Sequence, residues 1–274
     1  MFATRADGSR ALLGEVVEVF DRHLAGRFSI VGGWAPALRC KGPIPHPGTK
    51  DVDLLCDVEN DRAAIEQALR DLMAAGYYVS AKHSFQLIRI LDCGGVSLAF
   101  NLDLLYPGEL SEHVEFSKIF DLPVRESPID PSLIGVASVV LPEAKFLIHG
   151  WSKPCEQQFL LPDGRQVCVH VPLLGDIGLV FSKSESWSKP KRDRDAFDIY
   201  LTLAQPADPA ELRDDADRLG KEYPLVRRDL RKRCNVMLAN DASKFAALVQ
   251  RTNAKISRDD VRARLTDLLD ILSS

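Results

Sequence analysis

The chain has 274 residues, of which 46% are hydrophobic and 27% are charged. This composition supplies the core of one large domain or two smaller ones and excludes collagen, coiled coil and wholesale disorder. The net charge of −4 is unevenly spread, because residues 182–274 carry 19 Lys and Arg against 16 Asp and Glu. A polyanionic partner is therefore expected to meet the C-terminal part first.

No feature of the sequence indicates a membrane protein. No apolar run reaches the roughly 20 residues of a spanning helix, and the N-terminal MFATRADGSR lacks the apolar segment of a signal peptide. We therefore expect a soluble, cytoplasmic protein with no membrane partner. Cysteines and histidines show no CxxC, HxxxH or HExxH spacing, which argues against a zinc site built from them.

The first third of the chain alternates between predicted helices and strands. Apolar residues recur at helical spacing over 10–24. FSIVGG is predicted to be a strand that ends on a glycine pair, WAPALRC a short helix, and KGPIPHPGT a surface loop because of its prolines and glycines. KDVDLLCD then predicts a second strand. The amphipathic segment 61–75 predicts a helix that ends at Gly76.

Further strands are predicted beyond this helix. FQLIRILD and VSLAFNLDLLYP are expected to pair through a turn at Cys93, Gly94 and Gly95, and QQFLLPDGRQVCVHV is expected to form a hairpin around Asp163 and Gly164. From Pro172 onward the period is helical, over 173–187, 192–204, 208–221, 224–239, 241–250 and 258–272. The predicted fold class is α+β, with an α/β domain over 1–130 and a mainly helical domain over 131–274 that completes the active site.

Three aspartates are the strongest chemical signal in the strands. Asp51 and Asp53 are two residues apart, so both point to one face of their strand while Val52 and Leu54 point to the core. Two adjacent carboxylates repel unless a cation lies between them, so the pair suits a hard metal ion. Asp103 lies in an apolar strand on the face opposite to its leucines. The spacing of Asp51 and Asp53 is equally compatible with a solvated sheet face.

A glycine pair precedes these carboxylates. Gly32 and Gly33 follow the strand FSIV and begin a helix, a position at which bare backbone amides approach a phosphate closely. A tight turn between strand and helix explains the two glycines equally well. Together, the pair, the Asp-x-Asp strand and the later Asp103 resemble the nucleotidyltransferases of the DNA polymerase β superfamily. The resemblance implies that Asp51, Asp53 and Asp103 bind two Mg²⁺ ions and a nucleoside triphosphate, and that Gly32, Gly33 and Lys50 contact that nucleotide.

A second motif lies in the helical part of the chain. Lys183 precedes the run Arg192 to Tyr200, in which Asp195 and Asp198 share a helix face. A solvated helix start explains these charges equally well. The segment resembles the signature of the AbiEii abortive-infection toxins, a lysine followed by K/R-x-x-D-x-x-D-I/L, matched by Lys183, Arg194, Asp195 and Asp198, with Lys191 as the extra basic residue. That resemblance implies a nucleotidyltransferase toxin with a cognate antitoxin and an RNA acceptor, as in members that act on tRNA.

These resemblances define the expected roles and their alternatives. Lys183 is expected to neutralise triphosphate charge and Asp195 to orient that lysine or the acceptor. A basic cluster is a candidate RNA contact or a solvated helix face: Arg227, Arg228, Arg231, Lys232 and Arg233. One alternative is a small-molecule enzyme similar to the aminoglycoside and lincosamide nucleotidyltransferases, which share an opening close to Gly32-Gly33-Trp34. Another is a binding module that keeps the fold without the activity.

Overall fold

A computed structural model gives the architecture of the chain. It describes residues 1–80, 83, 85–108, 117–120, 136–142, 144–148, 150–189, 192–239 and 242–274. The predicted basic residue Lys191 lies outside these ranges. The chain forms two compact units, one of Met1–Trp34 with Gly48–Leu173 and one of Ala35–Pro47 with Leu174–Ser274.

The first unit is built on a mixed sheet. Its described elements are α1 (Arg5–Leu24), β1 (Phe28–Val31), β2 (Val52–Cys56), α3 (Val58–Ala74), β3 (Tyr77–Val79), β4 (Gln86–Cys93), β5 (Val96–Gly108), β6 (Ser117–Phe120), β7 (Val136–Pro142), α4 (Lys145–Ile148), β8 (Ser152–Leu160) and β9 (Gln166–Leu174); α2 (Trp34–Arg39) begins where this unit gives way to the second. The strand order is β3-β4-β5-β2-β1-β9-β8, and β7 pairs with both β5 and β6.

The sheet contains both parallel and antiparallel pairs. β1 runs antiparallel to β2, while β2 runs parallel to β5 and β9 runs parallel to β1. β4 and β5 form an antiparallel hairpin through Gly94 and Gly95, both at positive φ. Helices α1 and α3 pack on each other, and α1 also contacts β4, β5 and β8. The predicted α+β class is therefore confirmed.

The core of the first unit follows the two-residue period of its strands. Val52, Leu54, Phe100 and Leu102 are buried, whereas the residues that alternate with Phe100 and Leu102 on β5 stay half-exposed. α1 begins with a capping box in which Thr4 and Asp7 bond reciprocally. Its apolar face is fully buried, so one face of the sheet is covered by helices and the other carries the polar residues.

The second unit is helical. Its elements are α5 (Asp176–Ser184), α6 (Asp193–Ala204), α7 (Pro209–Glu222), α8 (Pro224–Leu238), α9 (Ala242–Thr252) and α10 (Arg258–Ile271). α6 packs against α5, α9 and α10, and α8 packs against α7 and α10. Asp208 and Ser257 cap α7 and α10 through their side chains, which explains why these helix starts are predictable from the sequence.

The first unit extends beyond the predicted domain end at residue 130, as far as Leu173. β7 pairs with β5, and β9 pairs with β1 through Ile30 and Leu173, so these late strands complete the sheet. The segment 35–47, which contains most of α2, groups with the helical unit although it lies early in the sequence. Two hydrogen bonds join its backbone to that unit. The Ile44 N–H donates to Gln205 Oε1 at 2.7 Å, and the Ile44 carbonyl accepts from Gln205 Nε2 at 2.9 Å.

Candidate active site

The three predicted carboxylates lie on one face of the first unit's sheet. Asp53 on β2 and Asp103 on β5 are direct partners in the parallel ladder, so their Cα atoms are about 4.8 Å apart and their side chains leave the same face. Asp51 precedes β2 by one residue, and its Oδ1 accepts a hydrogen bond from Asn101 Nδ2 at 3.0 Å. The face predicted for Asp51, Asp53 and Asp103 is therefore the face they occupy.

Amide groups hold two of these carboxylates. Gln86 is the partner of Asp103 across the β4–β5 hairpin, and its Nε2 donates to Asp103 Oδ1 at 2.7 Å. Asn101 does the same for Asp51. Lys50 Nζ lies 4.0 Å from Asp51 Oδ1 and is about half exposed, so the predicted nucleotide contact is a solvent-facing cation beside the carboxylates.

The glycine pair adjoins Asp53. Gly32 follows Val31, the β1 partner of Asp53, and has a φ of +67°, in the left-handed region that favours glycine. A Cβ at this position would collide with the Asp53 carboxylate. A Cβ on Gly33 would stand 3.0 Å from Thr49 Cβ. Both glycines therefore give the segment before β2 room to lie against the end of β1.

The donor set suits Mg²⁺, which prefers carboxylate oxygens and binds through one or two of them with several waters. Within the described ranges, however, no three His, Cys, Asp or Glu side chains are arranged to hold a metal ion. The structure brings Asp53 and Asp103 into register and places Asp51 beside them, but Asp51 and Asp103 are each turned to an amide. Both hydrogen bonds are to Oδ1, and the carboxylates would have to move closer together to share an ion.

The second motif forms a buried charge cluster in the helical unit. Lys183 Nζ on α5 lies 2.9 Å from Asp195 Oδ1 and 2.7 Å from Asp198 Oδ2, both on α6. Asp195 also accepts a 2.6 Å bond from Ser186, and His46 Nε2 lies 3.1 Å from Asp198 Oδ1. The charged side chains of this cluster are all less than a tenth exposed. The shared helix face predicted for Asp195 and Asp198 is thus directed inward, onto the lysine.

Burial and neighbouring charges shift the pKa values in this cluster in opposite directions. Burial alone would lower the pKa of Lys183, but the Asp198 and Asp195 carboxylates outweigh it and raise that pKa above its ordinary value. Burial alone would raise the pKa of Asp198, but Lys183 and His46 outweigh it and lower that pKa. Lys183 and Asp198 are therefore both charged at neutral pH. Arg194, which also matches the motif, is exposed at the start of α6.

The predicted basic cluster divides into two groups along α8. Arg227 donates to the Leu272 carbonyl at the end of α10 at 2.9 Å, and Arg233 pairs with Asp229 and stacks on the Phe181 ring. The other three residues are exposed and form no ion pair with any residue the structure describes: Arg228, Arg231 and Lys232. Arg227, Arg228 and Arg231 border a cavity of about 200 Å³.

Three residues of these clusters were not predicted from the sequence. Gln86 and Asn101 hold the carboxylates, and counting residues back from the Gly94–Gly95 turn would have paired Gln86 with Asp103. His46 lies in a loop rich in proline and glycine, where no periodicity indicates its partner Asp198 more than 150 residues away.

Comparison with known proteins adds a distant likeness. No protein-family model matches the chain, and no curated protein matches it in sequence. Among solved structures, the chain is similar to an antigenic nucleotidyltransferase-like protein from Paracoccidioides brasiliensis, at 15% sequence identity and a TM-score of 0.30, over 80% of this chain and 91% of that chain. A likeness this distant leaves the function to be argued from the residues themselves.

The helices were also compared with the requirements of a membrane span. None of those in the described part of the chain combines the necessary length and apolar character.

Proposed function

We propose that this protein is a nucleotidyltransferase, which moves a nucleoside monophosphate from a nucleoside triphosphate to an acceptor hydroxyl and releases pyrophosphate. The observation that carries the proposal is the register of Asp53 with Asp103, on the open sheet face and directly beside Gly32. Paired carboxylates next to bare backbone are what phosphoryl-type transfer requires, because the reaction depends on positioning the phosphates and neutralising their charge.

The metal in this proposal is Mg²⁺, with two ions. Asp51 and Asp53 would hold both, and Asp103 would hold the one nearer the acceptor. When bound, Mg²⁺ polarises the phosphates and lowers the pKa of a coordinated hydroxyl. Asp103 also receives the acceptor proton, and Gln86, which donates to Asp103 Oδ1, fixes the direction of that carboxylate.

The phosphates lie on the side of Gly32 and Gly33, where the missing side chains let the triphosphate approach the backbone. Lys50, exposed next to Asp51, pairs with the phosphate charge. The predicted contact of Lys183 with the triphosphate stays a prediction, because its Nζ is paired with Asp195 and Asp198 inside the helical unit. Asp195 contacts the lysine and orients it.

The finer proposal is a toxin of the AbiEii type that modifies RNA, such as tRNA, and is restrained by an antitoxin. Its support is the contact that Lys183 makes with both aspartates of the motif, Asp195 and Asp198. The exposed cations Arg228, Arg231 and Lys232 supply the positive surface that an RNA backbone needs.

The test is nucleotide incorporation. Purified protein is incubated with Mg²⁺, total tRNA and each of the four labelled triphosphates in turn, and the label bound to RNA is counted. Asp53→Asn should lower incorporation at least a hundredfold, because it removes a metal ligand without changing the side chain's shape. Asp267→Asn, which changes a carboxylate that is 65% exposed on α10, is the matched control and should keep wild-type activity.

Each result bears on a different part of the proposal. Full activity of Asp53→Asn would refute the nucleotidyltransferase function. Transfer to a small aminoglycoside but to no RNA would keep the chemistry and replace the acceptor. Absence of transfer to any acceptor, with any triphosphate, would leave a binding module.

A further inference from the structure

The open face of the sheet does not end at the carboxylates. It continues onto β4 and β3 as an apolar surface formed by Tyr78, Ile88 and Ile90, here called the apolar platform. Tyr78 is 46% exposed and Ile90 is 55% exposed, while Ile88 lies half-buried between them. Exposed apolar surface of this kind, next to polar groups, marks a place where something binds.

The strand register puts the platform on the same face as the candidate active site. Tyr78 is the partner of Ile88, and Ile88 is the partner of Asn101, the residue that bonds Asp51. Directly paired residues on neighbouring strands point to the same side of a sheet. The platform therefore starts one strand, about 5 Å, from the strand of Asp103, and it is continuous with the carboxylates.

The order of strands gives the two flanks of the carboxylates different characters. The platform lies on β3 and β4, the carboxylates on β5 and at β2, and Gly32 and Gly33 at the end of β1. The bare glycine backbone suits the phosphates of the triphosphate. The platform lies on the opposite flank, next to the strand of Asp103.

We infer that the apolar platform binds the terminal nucleobase of a single-stranded nucleic-acid acceptor and so brings its hydroxyl to Asp103. The inference rests on the proposed function and names its acceptor class. All three platform side chains are uncharged and Tyr78 is aromatic, which suits a flat neutral base. Stacking on an aromatic side chain is also tolerant of sequence, since every base has a π face.

The experiment compares platform variants with a matched surface variant. Tyr78→Ala and Ile90→Ser remove platform contacts. Val96→Ser is the control, because Val96 is 58% exposed on β5 but its even position belongs to the opposite face, that of Phe100 and Leu102. All are exposed positions, so none of the variants should impair folding, and circular dichroism checks this.

The first readout is steady-state transfer to a short oligoribonucleotide. The KM for the oligoribonucleotide should rise about tenfold in Tyr78→Ala, as expected for the loss of one stacking contact, and by a smaller factor in Ile90→Ser, which removes only apolar contact. The KM for the triphosphate should stay within twofold of wild type. Val96→Ser should change neither constant.

The second readout does not need activity. Binding of a fluorescein-labelled nine-nucleotide single-stranded RNA is followed by anisotropy without triphosphate. The dissociation constant should rise about tenfold in Tyr78→Ala and by a smaller factor in Ile90→Ser. If wild type transfers nucleotide and both platform variants keep wild-type constants for RNA, the inference is overturned and the proposed function stands. If wild type transfers nothing to RNA or to any other acceptor, the proposed function fails while the anisotropy still decides the platform.

Two further outcomes would also overturn the inference. A rise in the KM for the triphosphate alone would assign the platform to the nucleotide being transferred. A concentration-dependent dimer in sedimentation, lost in the platform variants, would assign it to a second copy of the chain.

Discussion

Gly32 meets two separate requirements at one position. Its φ of +67° favours glycine, and a Cβ there would collide with the Asp53 carboxylate. Strain alone and collision alone predict different results, because strain lowers stability wherever it occurs, whereas the collision displaces a proposed metal ligand. A second glycine with positive φ separates the two effects.

We predict that Gly32→Ala loses activity through the displaced Asp53. Both Gly32→Ala and Gly26→Ala should lower the free energy of unfolding by about 1–2 kcal/mol, since each forces alanine into the left-handed region. Gly26 has a φ of +78°, and a Cβ added there would meet nothing within 4 Å, so Gly26→Ala should keep wild-type transfer. Urea unfolding and incorporation assays measure both quantities. Equal activity of the two variants would separate Gly32 from the chemistry.

Lys183 is the second residue for which the structure predicts the effect of a substitution. The lysine is buried between two carboxylates. Removing it leaves their negative charge unpaired in the interior. We predict that Lys183→Met lowers the free energy of unfolding by about 3–5 kcal/mol. Neutralising the cluster with Lys183→Met, Asp195→Asn and Asp198→Asn together should recover most of that loss. A single variant as stable as wild type in urea would show that the cluster is not buried in solution.

The same cluster predicts a pH window for stability. The pKa of Asp198 is lowered from 3.8 in the folded protein, so its contribution is present above pH 3.8 and disappears as pH falls through the folded value. The pKa of Lys183 is raised from 10.5, so its contribution is complete below pH 10.5 and disappears as pH rises through the folded value. The stability difference between wild type and the triple variant should shrink below about pH 4 and above about pH 10. A difference that does not shrink on acidification below pH 4 would contradict this assignment.

At the scale of elements, helix α8 carries arginines of two kinds, those bonded to neighbouring elements and those exposed to solvent. Arg227 and Arg233 are bonded to neighbouring elements, whereas Arg228 and Arg231 are exposed. If α8 contacts an RNA backbone, Arg228→Glu with Arg231→Glu should flatten the dependence of RNA affinity on salt by about one unit of slope per lost contact. Stability should stay within about 0.5 kcal/mol of wild type.

Arg62→Glu is the control for α8, since Arg62 is 59% exposed on α3 in the other unit. It should leave the salt slope unchanged. Fluorescence titrations at several salt concentrations measure the slope for each variant. An unchanged slope in the α8 pair would remove this helix from RNA binding and leave its charges as a solvated surface.

The elements also show what the sequence could predict. The helices of the second unit were predicted to within about three residues, because their apolar periods are strong and local signals mark their starts, such as Asp208 before α7. Sequence alone missed that β9 joins the sheet through Ile30 and Leu173. Parallel pairing between segments about 140 residues apart leaves no local pattern, so residues up to 173 belong to the first unit although a helical domain was predicted from 131.

For the candidate site, the sequence predicted which strand face the carboxylates occupy but not their hydrogen-bond partners. The two-residue period of strands placed Asp51 and Asp53 on one face, and the hydrophobic alternation of β5 placed Asp103 opposite its leucines, in agreement with the burial pattern of both strands. The partners of these carboxylates were not predicted. Gln86 and Asn101 reach them through strand register, which depends on the turn at Gly94 and Gly95 rather than on any property of the two amides.

At the scale of the whole molecule, two compact units share one chain, and the chain passes from the first to the second at Trp34 and back at Gly48. The Gly32–Gly33 pair precedes the first crossing and Asp51 follows the second by three residues. The segments that carry the proposed phosphate and metal ligands thus flank a segment that belongs to the helical unit.

We predict that Mg²⁺ and a nucleoside triphosphate together raise the melting temperature more than either does alone, because a ligand that binds only the folded state stabilises it by mass action. At a hundredfold excess over the dissociation constant the gain is about 2.7 kcal/mol, which for a chain of this size corresponds to about 5–10 °C. Thermal scans with each of the four triphosphates, with and without Mg²⁺, measure the shift. Asp53→Asn should lose the joint effect while melting close to wild type without ligand. An equal shift in that variant would place the binding away from the carboxylates, and no shift with any triphosphate would contradict the proposed nucleotide site.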